Sequence, residues 1–167
     1  MASPLLRAKL VMLGAPGVGK TSLVQRYVHS RFADEYLSTL GVKVDRKSVE
    51  VGDATVAMLV WDVHGETEGL DVPTSYLRGA TAAIIVVDGS RPGTVEKAAE
   101  LAGRVQEASP DVGIHPVVNK ADLSIDWAQV EPLMESFDMS NFVRTSAKSG
   151  DGVEGLFVSV AERVAAG

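Results

Sequence analysis

Apolar positions along the chain alternate between two kinds of segment. Short β-branched or apolar runs occupy residues 9–13 (KLVML), 42–51 (VKVDRKSVEV), 54–62 (ATVAMLVWD), 82–88 (AAIIVVD), 113–119 (GIHPVVN) and 141–146 (NFVRTS). Between them lie longer amphipathic stretches, over residues 19–30, 68–79, 92–108, 126–136 and 152–165. Strands alternating with helices predict an α/β fold, with helices on both faces of a mostly parallel sheet. The run AAIIVVD lacks polar alternation, as a central strand buried on both faces requires. Residues 42–62 depart from the alternation. Two strands follow one another across Gly52-Asp53, a hairpin turn signal, so one edge strand is expected to be antiparallel. No repeat, low-complexity tract or Pro/Gly/Ser linker interrupts the pattern, and residues 1–167 read as one domain.

Composition narrows the function classes. The chain has 167 residues, 46% apolar and 23% charged, and a formal net charge of −6. That balance argues against a basic surface tracking nucleic acid or an anionic membrane. No apolar run approaches the ~18–20 residues of a membrane span, and Arg7 and Lys9 interrupt the only signal-peptide-like stretch. The absence of cysteine excludes disulfides, thiolate metal sites and prenyl or palmitoyl attachment to the chain as given. A cytoplasmic protein without a direct lipid anchor is expected.

The stretch GAPGVGKTS carries the first chemistry. Gly14, Gly19, Lys20 and Thr21 match the phosphate-loop spacing G-x-x-x-x-G-K-[ST], after a strand and before a helical stretch. The glycines let bare backbone turn tightly and bring N–H groups close to a β-phosphate. The positive end of the following helix adds to this. Lys20 supplies a compact charge to the β- and γ-phosphates, and Thr21 a hydroxyl to Mg²⁺. A Gly-rich turn with a surface lysine is the plainer reading, and the complete motif in its strand–helix context outweighs it. In the segment MLVWDVHG, Asp62 ends an apolar strand and is followed by Gly65, where a metal-binding aspartate of a phosphate-loop protein belongs.

The segment VVNKADL holds Asn119-Lys120-x-Asp122 after another strand. The Asp122 carboxylate can accept from guanine N1–H and its exocyclic amine, which adenine cannot satisfy. Asn119 can tie the base loop to the phosphate loop, and the Lys120 stem can lie along the base. In TSAKSG, after the last strand, the Ala147 N–H would meet the guanine O6. N-K-x-D alone is a weak signal. Following a phosphate loop and D-x-x-G, and followed by S-A-K, it is strong.

These motifs resemble those of the Ras superfamily of small GTPases, and most of all its Rab branch. YLSTLGVKV is similar to that branch's switch I, and VWDVHGE…SYLRGA…IIVVD to its W-D-T-A-G-Q-E…Y-Y-R-G-A segment. The resemblance runs from about Lys9 to Val164. It implies a phosphate-loop NTPase of three α/β/α layers, with a six-stranded, mostly parallel sheet and five helices. It further implies binding of GTP or GDP with Mg²⁺ and hydrolysis of GTP. The implied nucleotide contacts are Gly17, Val18, Gly19, Lys20, Thr21, Ser22, Phe32, Tyr36, Asn119, Lys120, Asp122, Ser146, Ala147 and Lys148. Thr21, Thr39 and Asp62 would hold the metal, and Lys20, Thr39, Gly65 and Glu66 would serve catalysis. Losing the γ-phosphate would release Thr39 and Gly65, so both switches relax. Effectors, an exchange factor and a GTPase-activating protein would bind through those switches. The cysteine-free ending AERVAAG hints at a prokaryotic version of the family.

Departures from the family bear on turnover. Glu66 stands where the family has a water-orienting glutamine, and brings negative charge towards the γ-phosphate. His64 replaces an alanine and Val63 a threonine. Pro16, inside the phosphate loop, has no N–H to donate, and its ring stands where an activator's arginine would approach. Arg31 would point away, and no arginine of the chain itself is evident near the γ-phosphate. Slow hydrolysis is expected. A binding module with negligible hydrolysis is the alternative, and a metabolite kinase lacks a visible acceptor segment. His29, His115 and Trp127 read as structural, and Trp61 as packing or an effector-facing aromatic. Gly69 and Pro73 predict a short or late-starting helix in switch II.

Overall fold

The computed structural model describes residues 4–29, 41–64 and 74–167, with the backbone alone at residues 41, 42, 64 and 74. Its strands are β1 (Leu5–Gly14), β2 (Gly41–Val51), β3 (Ala54–His64), β4 (Ala82–Asp88), β5 (Gly113–Asn119) and β6 (Val143–Arg144). Its helices are α1 (Lys20–His29), α2 (Thr74–Leu77), α3 (Gly93–Ala108), α4 (Trp127–Ser136) and α5 (Val153–Ala166). The sheet order is β2-β3-β1-β4-β5-β6. Among the described residues, only β2 runs antiparallel, pairing with β3 from Gly41↔His64 to Val51↔Ala54. The sheet pattern agrees with the sequence reading.

Alternation along β1 divides the core into two layers. Leu10 and Met12 face one layer with Val24 of α1 and Leu156, Phe157 and Val160 of α5. Val11 and Leu13 face the other, with Val95 and Leu101 of α3 and Val130 and Met134 of α4. The entire β4 run is buried, because each face is covered by a helical layer. Helix α5 buries Val153, Leu156, Phe157, Val160 and Ala161, an i, i+3, i+4, i+7, i+8 stripe that fits one face of a helix. The Phe157 ring stacks on Tyr27 of α1 with centroids 4.1 Å apart.

One element, β6, is shorter than the pattern suggests. β6 keeps two residues of the expected six because the next residues turn to the loops. The Thr145 carbonyl accepts from the Ala121 N–H at 2.9 Å, and the Ser146 N–H donates to the Asp151 carbonyl at 2.9 Å. Helix α2 covers Thr74–Leu77 among the described residues, in agreement with the short or late-starting helix expected there. Among the described residues, no helix is long and apolar enough to cross a membrane.

Candidate functional site

The loop between β1 and α1 sits at the carboxyl end of the central strand, flanked by β3 and β4. Gly17 and Gly19 hold φ of +78° and +103°, conformations that side-chain-bearing residues rarely adopt. A Cβ on Gly19 would also collide with the Asn119 amide, so the base loop packs directly on the phosphate loop. Val18 points the other way and is fully buried in the core, anchoring the loop from beneath. Lys20 opens α1 and donates from Nζ to the Gly14 carbonyl at 2.9 Å and towards that of Ala15 at 3.5 Å. Thr21 and Ser22 follow in the first turn, which contains no acidic residue to offset the helix's positive end. A partly exposed lysine, free backbone turns and a helix N-terminus together make a setting for phosphate.

Asp62 lies on β3, directly beside β1, opposite Met12, and its side chain is 1% exposed. Its carboxylate and the Thr21 hydroxyl are hard oxygen donors on neighbouring elements, the kind of set that suits Mg²⁺ shared with phosphate. Val63, next in the strand, faces away from that site and packs with Val11, Leu13 and Leu77. A threonine there would bury its hydroxyl in that apolar layer. Trp61 packs partly buried, with the Lys9 Nζ 3.8 Å from its ring centroid and the Tyr76 ring tilted against it at 6.4 Å.

The base loop is held by side chains. Asn119, at the end of β5 and 1% exposed, donates from Nδ2 to the Val18 carbonyl at 3.0 Å. Its Oδ1 accepts from the Thr145 hydroxyl at 3.0 Å and from the Ala147 N–H at 3.3 Å. One amide thereby joins the phosphate loop, the base loop and the segment after β6. Asp122 is exposed, and accepts from the Ser146 hydroxyl at 2.8 Å. Arg26 of α1 donates from Nε to the Ala147 carbonyl at 2.7 Å and from its terminal nitrogen to that of Lys148. The Lys148 side chain itself is exposed. Lys120 takes a left-handed φ of +67°, an unfavourable choice for a lysine, and its Nζ lies 2.9 Å from Asp88 Oδ2.

Asp88, at the end of β4, is the acceptor that the motif search misses. It is 1% exposed and also accepts from Ser90 N–H at 2.9 Å, Ser90 Oγ at 2.6 Å and Arg91 Nε at 2.9 Å. Burial alone would raise its carboxyl. The bonds from Ser90, Arg91 and Lys120 outweigh that and hold it down at about 2. Arg91 then donates from its terminal nitrogen to the Pro16 carbonyl at 2.9 Å. Asp88 ends its apolar strand, whereas β3 continues two residues past Asp62, the end expected from the sequence. An aspartate closing an apolar run was the available signal. Arg91 and Arg26 belong to no motif, so only the packing identifies them. Phe32, Tyr36, Thr39, Gly65 and Glu66 lie outside the described residues, as do Arg31, Glu68, Gly69 and Pro73.

His115, on β5 at the far end of the strand from Asn119, is 9% exposed and borders a cavity of about 190 Å³ with Asn141, Ser159 and Arg163. Burial, with the Arg163 charge adding to it, pushes its imidazole down to about 4. His29, at the end of α1, pairs with Asp45 at 3.3 Å.

Comparison with known proteins agrees with this geometry. The Ras family model matches residues 9–166. The Ras-related protein RABF2a of Arabidopsis thaliana is 35% identical over 164 residues, covering 95% of this chain and 82% of the relative. The Ras-related protein Rab-5A of Dictyostelium discoideum is 35% identical over 161 residues, covering 93% and 80%. The chain therefore belongs to the Ras family and is a Rab-like small GTPase, a molecular switch that binds GTP and GDP with Mg²⁺ and hydrolyses GTP.

Proposed function

We propose that residues 1–167 act as one G domain that holds the nucleotide across the two loops and turns GTP over slowly. Gly17, Val18 and Gly19 offer backbone N–H groups to the phosphates, together with Lys20 and Ser22. Asp122 accepts from the guanine edge, Ala147 donates to its O6, and Lys120, Ser146 and Lys148 line the base, with Phe32 and Tyr36 closing over the nucleotide. The observation that carries this reading is the Asn119 amide, which binds the Val18 carbonyl at 3.0 Å and fixes the distance between the two loops. The joint keeps the phosphate-binding backbone and the Asp122 carboxylate close together, which supports a ligand with a phosphate tail and a guanine head.

Thr21, Thr39 and Asp62 would hold Mg²⁺, which when bound neutralises charge on the β- and γ-phosphate oxygens. Lys20 adds its own charge there, and the Thr39 and Gly65 N–H groups donate to the γ-phosphate. Glu66 orients the attacking water, less well than a neutral amide because its charge opposes the phosphate oxygens. Pro16 fills the approach of an activator's arginine. Regulators and effectors therefore read the nucleotide state through switch I and switch II, in the cytoplasm, where GTP is supplied.

Single-turnover GTP hydrolysis on the whole chain tests this. The wild type is expected to turn over at or below ~10⁻³ s⁻¹, as slow intrinsic GTPases do. Glu66→Ala is expected to lower that rate about tenfold, less than the ~10²–10⁴-fold of a well-placed general base, because the Glu66 charge opposes the phosphate oxygens. An unchanged rate in the variant removes Glu66 from the mechanism.

A further inference from the structure

Arg91 belongs to neither nucleotide loop, yet its side chain is fastened to one and shares its anchor with the other. Its Nε binds the Asp88 carboxylate at 2.9 Å, and a terminal nitrogen binds the Pro16 carbonyl at 2.9 Å. The same Asp88 oxygen holds the Lys120 ammonium at 2.9 Å. The anchor is rigid: Asp88 is buried, and both nitrogens of Arg91 belong to one planar group. The Arg91 guanidinium also lies 3.3 Å from where a Cβ on Gly17 would be, so the arginine lies against the loop's outer side.

Peptide geometry gives this contact a consequence. In a trans peptide the carbonyl and the following N–H point in opposite directions. No cis peptide occurs among the described residues. Fastening the Pro16 carbonyl to Arg91 therefore turns the Gly17 N–H to the side away from Arg91. Pro16 itself has no N–H, so Gly17 is the first donor past Ala15 that the loop can present.

We propose that Arg91, anchored on Asp88, is a positioning residue of the nucleotide site. It fixes the Pro16–Gly17 peptide so that the Gly17 N–H faces the bound phosphates, and it ties that peptide to Lys120 at the base. The inference rests on the reading of Gly17 and Lys120 as nucleotide contacts. It assigns Arg91 no contact with the γ-phosphate, because both of its recorded bonds go to protein oxygens.

Release of fluorescent GDP from the whole chain, with Mg²⁺ present, tests the proposal in wild type, Arg91→Ala and Arg91→Lys. GMP affinity, by displacement, provides the second readout, since GMP lacks the β-phosphate that the loop cradles. Arg91→Ala is expected to speed GDP release about tenfold, the equivalent of ~1.4 kcal/mol, while changing GMP affinity less than about twofold. Arg91→Lys keeps the charge but has a single nitrogen head that cannot bridge both oxygens, so its release rate should lie between the two. Should Arg91→Ala fail to fold, Arg91→Lys carries the same comparison. GDP release at the wild-type rate, or equal losses for GDP and GMP, overturns the proposal. So does unchanged release with slower hydrolysis, which would make Arg91 catalytic instead. A wild type that fails to retain GDP would instead overturn the nucleotide reading beneath it.

Discussion

The phosphate loop and the base loop of this protein are built by opposite means. The first is shaped by backbone: Gly17 and Gly19 take positive φ, Val18 plugs the core below, and Lys20 folds back on the loop's own carbonyls. The second is shaped by side chains: Asn119 makes three hydrogen bonds, and Lys120 is held in a left-handed turn with its ammonium on Asp88. A loop made of backbone tolerates little change at its glycines, because a Cβ on Gly17 or Gly19 strains it or strikes a neighbour. A loop made of side chains depends on partners that arrive from distant parts of the chain. The two meet at Asn119 and at Asp88, so neither is independent of the other.

Removing Asn119 should break the comparison most severely. Asn119→Ala leaves the Val18 carbonyl, the Thr145 hydroxyl and the Ala147 N–H without their buried partner. A loss of ~3 kcal/mol in urea unfolding is expected, together with weaker GDP binding. Equal stability of mutant and wild type would show that the loops stand without the joint.

Asp122→Ala should separate the loops. The side chain is exposed and has one recorded bond, to Ser146, so unfolding stability should change by less than ~1 kcal/mol. GDP affinity is expected to fall about 100-fold and the preference over ADP to shrink with it, because a carboxylate built for a donor pair is lost. Titration with both nucleotides measures this. Unaltered preference would move base selection elsewhere.

Acid distinguishes the loops from the rest of the sheet, with the smallest effect. Asp88 has a folded pKa of about 2, below the usual carboxylate value, so its contribution is complete above pH ~4 and is lost only as pH falls towards 2. His115 has a folded pKa of about 4, below its unfolded value near 6.5. The unfolded chain then binds a proton that the folded chain refuses, and stability falls as pH drops from ~6.5 towards 4. About 1.2 kcal/mol should be lost between pH 7 and 5.5 through His115, and His115→Gln should flatten that stretch of the stability profile. A mutant that retains the full slope assigns it to other groups.

Much of the framework was legible in the chain. The β4 run AAIIVVD is apolar throughout, so it had to lie between two covered faces, and it does. Gly52-Asp53 marked the β2–β3 hairpin because a tight turn favours such residues. β6 was overestimated because strand propensity ignores where the backbone groups of residues 145–146 find partners. Asp88 was passed over because its role depends on Arg91 and Lys120, three and 32 residues further along the chain. An arginine near the phosphate loop was not evident in the sequence, since Arg91 reaches Pro16 across 75 positions.

The sequence by itself determined the alternation of elements, the phosphate-loop spacing and the carboxylate of Asp122 in the N-K-x-D motif. Those are local properties: periodicity, turn chemistry and the functional groups that a short motif carries. Only the tertiary structure decided which strand ends meet. Parallel order brings the carboxyl ends of β1, β3, β4 and β5 to one side of the sheet, and with them Gly14, Asp62, Asp88 and Asn119. The joint between the loops then depends on hydrogen bonds whose direction and length exist only once that sheet has formed.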